Sequence, residues 1–161
     1  MLEGLLSKEE CAQCRLCCSF DSYGLWDTPV ITPGMKEKVL RAKPGQRFVS
    51  RGDTLLLRME REEQEDLYYC PLLDRSRGCI MGDGKPFDCR IWPFRVMNFL
   101  GRRVITLSPL CPAVAEKPVE QIRKKCGEIA PAVFKEAREH PEYVRAYEEG
   151  FPIFAADTAE E

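Results

Sequence analysis

One histidine, His140, stands in 161 residues, and that scarcity removes most imidazole chemistry. It precedes Pro141 in charged, helix-like sequence, the setting of a surface residue beside a helix break rather than of a general base or metal ligand. No G-x-G-x-x-G and no P-loop occur, so neither phosphate-cradling motif is available. No apolar run approaches the roughly 18 residues of a membrane span. Charge of one sign is missing too: 24 Lys and Arg oppose 26 Asp and Glu for a net −2. No electrostatic footprint for nucleic acid or an anionic membrane results. The opening MLEGLLSKEE has neither a basic n-region nor a long apolar h-region. No secretory signal is expected from it, and the compartment expected is a reducing cytoplasm. Internal repeats and low-complexity segments are absent.

What the chain has is cysteine, nine of them. In a reducing compartment they are not expected as structural disulfides, and an odd count forbids complete pairing. The hydrophobic share of 44% and charged share of 31% are those of an ordinary globular protein. At this length a core forms without disulfide staples, so one domain over 1–150 with a tail at 151–161 is expected.

Three blocks follow along the chain. The first, to about Gly45, holds the stretch CAQCRLCCSF, the aromatics Phe20, Tyr23 and Trp26, and then a helix. Thr32 suits its N-cap, Pro33 its first turn, Met35, Val39 and Leu40 its apolar stripe, and Pro44-Gly45 its end. The second block, 46–110, reads as strands. RFVSRGDTLLLRMER predicts a hairpin turning at Gly52-Asp53, and FRVMNFLGRRVITL predicts another turning near Gly101. Arg51-Gly52-Asp53 is turn chemistry here rather than an adhesion motif. Between the hairpins runs a Gly- and Pro-punctuated loop with Cys70, Cys79 and Cys89. The third block is helical: Val119, Ile122, Cys126, Ile129 and Val133 form a stripe that Pro131 would break or kink, and a second helical stretch is expected to end at Gly150. The tail starts apolar and ends acidic, and its last residues are expected to fray. The fold class expected is α+β: a small domain with antiparallel hairpins packed on C-terminal helices and cysteine-rich metal-binding loops at one end.

The cysteines then sort themselves. Cys126 lies on an apolar helical stripe and reads as buried and inert. Cys11, Cys14, Cys17, Cys18, Cys70, Cys79, Cys89 and Cys111 lie in loop-like sequence and are the candidate ligands. Four thiolates close a tetrahedral zinc site or hold an iron–sulfur cluster, and eight make two sets. Cys11, Cys14 and Cys17 repeat the C-x2-C step, which opens the bacterial ferredoxin-type run, and Cys70-Pro71 and Cys111-Pro112 match its proline-followed fourth cysteine. Adjacent side chains tend to diverge, so Cys17 and Cys18 are expected to serve two neighbouring centres. Cys11, Cys14 and Cys17 would take Cys70 or Cys111, and Cys18, Cys79 and Cys89 the other. The alternative is a single four-thiolate centre with the surplus cysteines free or redox-active.

These residues resemble the YkgJ-like cysteine-cluster family, a zinc- or iron-chelating domain. The resemblance rests on CxxCxxCC, Cys11 to Cys18, and on CPLLDRSRGCIMGDGKPFDCRIWPF with Cys70, Leu73-Asp74, Gly78-Cys79, Lys85-Pro86, Cys89-Arg90 and Pro93. It spans about residues 11 to 112. The chain departs from the family in Ile80-Met81-Gly82, where Tyr is common, and in Lys85, where Arg is usual; lysine cannot pair bidentately. The resemblance implies metal chelation. Some flagellin lysine N-methylases are similar in carrying such a cluster, which implies that an iron–sulfur centre can be housed on it.

The expected cofactor is an iron–sulfur cluster, 4Fe-4S before other types, with zinc as the alternative. The third cysteine of the C-x2-C-x2-C run and the lack of histidine ligands favour iron. Scattered core thiols and a Cys11–Cys14 exchange pair are the other readings, and no strand signal precedes Cys11 to support the second. Arg90 and Trp92 could shield a cluster, or Trp92 could simply pack in the core. Electron transfer or maturation with a partner protein, cluster-dependent chemistry, and a zinc-folded interaction module all remain open as functions.

Overall fold

The computed structural model describes residues 2–21, 28–62 and 66–158. Tyr23, Trp26 and the acidic extremity 159–161 lie outside the described residues. The chain divides into two compact units, Lys8–Arg90 and Met1–Ser7 with Ile91–Glu161.

In the Lys8–Arg90 unit, α1 (Lys8–Cys14) leads through a 3-10 turn, Leu16–Cys18, into β1 (Ser19–Phe20). α2 (Pro33–Ala42) begins where its sequence signals lie: the Thr32 side chain accepts from the Met35 N–H at 3.4 Å, and Pro33 needs no donor in the first turn. β2 (Phe48–Arg51) and β3 (Thr54–Leu57) form the first expected hairpin, with Arg51 opposite Thr54. Gly52, at φ 57°, takes the left-handed position that this tight loop requires. β4 (Glu60–Glu62) and β1 flank β5 (Leu67–Tyr69) in an antiparallel three-stranded sheet, and β6 (Leu73–Asp74) pairs with β7 (Gly78–Cys79). α3 (Phe87–Ile91) starts in this unit. The core gathers Phe20, Ile31, Met35, Val39, Leu57, Met59, Cys70 and Leu72, so the first hairpin is packed with α2.

In the other unit, β8 (Phe94–Phe99) and β9 (Arg102–Leu107) form the second expected hairpin in full register. Its two-residue loop, Leu100-Gly101, has φ 51° and 84°, the two positive angles of a type I′ turn. α4 (Pro112–Ala115) follows, then α5 (Val119–Glu139). Ile122, Cys126, Ile129, Val133, Phe134 and Ala137 are its buried stripe, and Pro131 sits inside it without ending it. Helix does not resume to Gly150 as expected. Pro141 disfavours the helical conformation for His140, and the chain instead makes β10 (Arg145–Ala146), parallel to β8. The expected tail supplies β11 (Ile153–Ala156), antiparallel to β9, giving the sheet order β10-β8-β9-β11. The α+β class stands, with the second hairpin and α5 in one unit and the first hairpin in the other. Among the described residues no helix is long and apolar enough to cross a membrane.

Candidate metal centre

Seven of the eight candidate ligands, all but Cys111, fall within Lys8–Arg90. Cys11 and Cys14 are on α1, three residues apart and so on neighbouring faces of one helical turn, not in the loop expected. Cys11 is half-buried and Cys14 exposed. α1 ends before Arg15, whose φ of 54° is left-handed, and whose Nη1 donates to the Arg75 carbonyl at 3.2 Å. That reversal sends the chain into the turn that carries Cys17 and Cys18. The Cys18 carbonyl accepts from the Cys70 N–H at 2.9 Å, and Ser19 pairs with Tyr69 beyond it. A backbone ladder therefore brings residue 70 beside the 17–18 pair across fifty residues of sequence.

Cys79 reaches the same region by a second ladder. The Leu73 N–H donates to the Cys70 carbonyl at 3.0 Å, Cys79 stands opposite Leu73, and the Ile80 N–H donates to the Leu72 carbonyl at 2.9 Å. Asp74 shapes the intervening turn: its Oδ1 accepts from the Ser76 N–H at 2.9 Å, the Ser76 hydroxyl at 2.6 Å and the Arg77 N–H at 2.9 Å. The Ser76 hydroxyl, with these N–H groups and Arg77, holds the half-buried carboxyl far below its usual range. Gly78, at φ 82°, lets α1 lie against β7; a Cβ there would stand 3.2 Å from that of Ala12. Cys89 comes on α3. The adjacent Asp88 accepts the Val30 N–H at 3.0 Å and ties that helix to the hairpin side of the unit.

The electrostatics connect four of these thiols. Hydrogen bonding to the Cys18 side chain, then burial, raises the Cys17 thiol far above its ordinary range. Burial pushes Cys70 up to about 12, with the Cys79 and Cys17 sulfurs adding to the rise. Burial also raises Cys79, with Cys17 adding to it. Cys89 is raised well above the usual thiol value by burial and then by Cys70, Cys17, Asp88 and Cys79. Each of Cys17, Cys70, Cys79 and Cys89 is thus within electrostatic reach of the others. Opposing the rise, the Leu72 N–H bonds to Cys70 and the Met81 N–H to Cys79, while Lys43 acts on Cys70 and Lys85 on Cys17 and Cys79. Lys43 is fixed there by 2.8 Å bonds to the Pro71 carbonyl and to Glu60 Oε1.

This is a different grouping from the one expected. Cys17 is associated with Cys70, Cys79 and Cys89, a set that takes members from both expected centres. Cys17 and Cys18 are consecutive in the 3-10 turn, and the Cys18 side chain is the largest influence raising the Cys17 thiol. Cys111 lies in the other unit, buried at the N-cap of α4, and Cys126 is fully buried in that unit on the α5 stripe as expected. Among the described residues no group of three or more His, Cys, Asp or Glu side chains is set as a metal ion would hold it. By chemistry, however, the donor set suits a thiolate-held group: four thiols, no histidine, and two sulfurs already receiving backbone N–H bonds. The sequence reading missed Lys43 and the Leu72 and Met81 amides. The i+2 spacing of those amides from Cys70 and Cys79 was the available signal. No family model, curated protein or solved structure matches this chain.

Proposed function

We propose that the chain is an iron–sulfur protein of the YkgJ-like kind, with one cluster on Cys17, Cys70, Cys79 and Cys89. What supports the reading is the pair of backbone ladders that brings residues 18, 70 and 79 together, with the influence that the Cys17, Cys70, Cys79 and Cys89 thiols exert on one another. Four neutral thiols packed together are costly to ionise, and a bound cationic centre reverses that cost by stabilising the thiolates. The Leu72 and Met81 N–H bonds and the nearby Lys85 and Lys43 act in the same direction, spreading the negative charge of four thiolates. When bound, such a cluster would supply one-electron chemistry. The chain's own part is to hold the four sulfurs and exclude water from around Cys70. The setting proposed is a reducing cytoplasm, with a redox or maturation partner protein.

The same four thiols could close a tetrahedral zinc site, making the unit a structural interaction module. Anaerobic purification with iron, zinc and acid-labile sulfide analysis separates the two. A brown protein with equimolar iron and sulfide supports the cluster; a colourless one with a single zinc supports the module and ends the iron reading.

A further inference from the structure

Cys11 and Cys14 stand outside the four-thiol set, and the helix that carries them sets them within bonding reach of each other. α1 is regular from Lys8 to Cys14, so the two are three residues apart on one turn. A rise of about 1.5 Å and a rotation of about 100° per residue put their Cα atoms about 5 Å apart, with side chains about 60° apart around the axis. That lies inside the span of about 4.4–6.8 Å between Cα atoms that a disulfide bridges. The Cβ atoms of such a pair, about 5–6 Å apart on a helix, must still draw together by about 1 Å. Cys14 is the last residue of α1, before the left-handed Arg15, so only the end of the turn has to tighten.

The two thiols differ in access. α1 lies on β7 through Ala12, whose Cβ would meet a Cβ at Gly78 at 3.2 Å. The edge of α1 that bears Cys11 and Cys14 is turned about 100° and 160° away from Ala12. Cys14 is accordingly exposed and Cys11 half-buried. Cys17 and Cys18 follow the reversal at Arg15, in a separate turn.

We propose that Cys11 and Cys14 are a redox-sensitive pair that closes to a disulfide by exchange with a low-molecular-weight disulfide. The Cys14 thiolate attacks one sulfur of the small disulfide, whose S–S bond breaks and releases one small thiol. The Cys11 thiolate then attacks the Cys14 sulfur of the mixed disulfide and releases the second small thiol. The protein pair gives up two protons and two electrons, and the small disulfide takes both. Solvent access assigns the first attack to Cys14 and the second to Cys11. The bond lies within one helical turn, on the side away from Ala12, so it forms without lifting α1 from β7. The pair goes beyond the four-thiol reading and needs no bound metal.

The test exposes the full chain, purified anaerobically, to graded ratios of oxidised to reduced glutathione, then traps free thiols by alkylation. Trypsin cuts after Lys8 and Arg15, so the peptide EECAQCR holds Cys11 and Cys14 apart from Cys17 and Cys18. Mass spectrometry reads that peptide in wild type, Cys11→Ser and Cys14→Ser, with circular dichroism to establish folding. In wild type it should lose two hydrogens and both alkylation sites, carry no glutathione, and recover both thiols with dithiothreitol. Cys11→Ser should hold one glutathione on Cys14. Cys14→Ser should take up none at Cys11 over the time in which wild type closes. A wild-type peptide that stays reduced in oxidised glutathione alone, keeps a glutathione, or is linked through Cys14 to Cys17 or Cys18 would overturn the proposal. So would a Cys14→Ser chain modified at Cys11 as fast as wild type closes. A chain that closes the pair but carries no iron would leave the proposal standing and end the cluster reading.

Discussion

Replacing Gly78 with alanine should separate backbone strain from helix seating, because Gly45 provides a matched control in the same unit. Both glycines have φ of 82°, but a Cβ at Gly45 meets nothing within 4 Å, whereas one at Gly78 meets the Ala12 Cβ at 3.2 Å and its Cα at 3.5 Å. An L-residue in the left-handed region costs about 1–2 kcal/mol, offset by about 0.4–1 kcal/mol from the stiffer unfolded chain. Gly45→Ala should therefore destabilise by about 1 kcal/mol. Gly78→Ala adds a tight contact with the Ala12 Cβ of α1, an overpacking worth about 1–3 kcal/mol more. Urea denaturation followed by circular dichroism measures both midpoints, and an unchanged slope would show that only stability has moved. Because Gly78 adjoins Cys79, Gly78→Ala should also lose bound iron under conditions where folded Gly45→Ala keeps it. If the two variants prove equally stable, the close approach of α1 to β7 is not what fixes this part of the site.

Cys126→Ala should leave metal content unchanged and cost about 1 kcal/mol or more through the small void left on the α5 stripe. Burial raises the Cys126 thiol from 9.0 to about 11, so the unfolded chain releases this proton first. Its contribution to stability is complete below pH 9.0 and is lost as pH rises toward about 11. The alanine variant should show a shallower alkaline decline in urea midpoints; an identical decline would contradict the assignment. Asp74 behaves in the opposite sense. Its folded carboxyl is lowered, so its contribution is present above its ordinary value of 3.8 and is lost only as pH falls below that value. In an NMR titration the Ser76 and Arg77 amides should hold their shifts down through pH 3.8, and a midpoint near that ordinary value would refute the turn geometry.

Local signals were legible in the sequence where local chemistry decides the outcome. Thr32-Pro33 marks the start of α2, Gly52 and Gly101 mark two hairpin loops, and the stripe through Cys126 marks α5, since each depends on residues within one or two turns. What could not be read depends on distant partners. Arg145–Ala146 and Ile153–Ala156 are too short to declare themselves as strands and exist because β8 and β9 offer free edges. The stop at His140-Pro141 was present but outweighed by the charged, helix-like residues around it. For the site, the cysteine inventory was visible and the partition was not. The C-x2-C spacing suggested that Cys11, Cys14 and Cys17 act together, yet α1 ends at Cys14 and the left-handed reversal at Arg15 places Cys17 in a separate turn. The ladders from Cys18 to Cys70 and from Leu72 to Ile80 then choose its companions.

The most direct test of this grouping is the iron and acid-labile sulfide content of single alanine variants at Cys11, Cys14, Cys17, Cys70, Cys79, Cys89 and Cys111, each purified anaerobically beside wild type. The four-thiol account predicts loss of the cluster at Cys17, Cys70, Cys79 and Cys89, and retention at Cys11, Cys14 and Cys111. Loss at Cys11 or Cys14 with retention at Cys79 or Cys89 would contradict it.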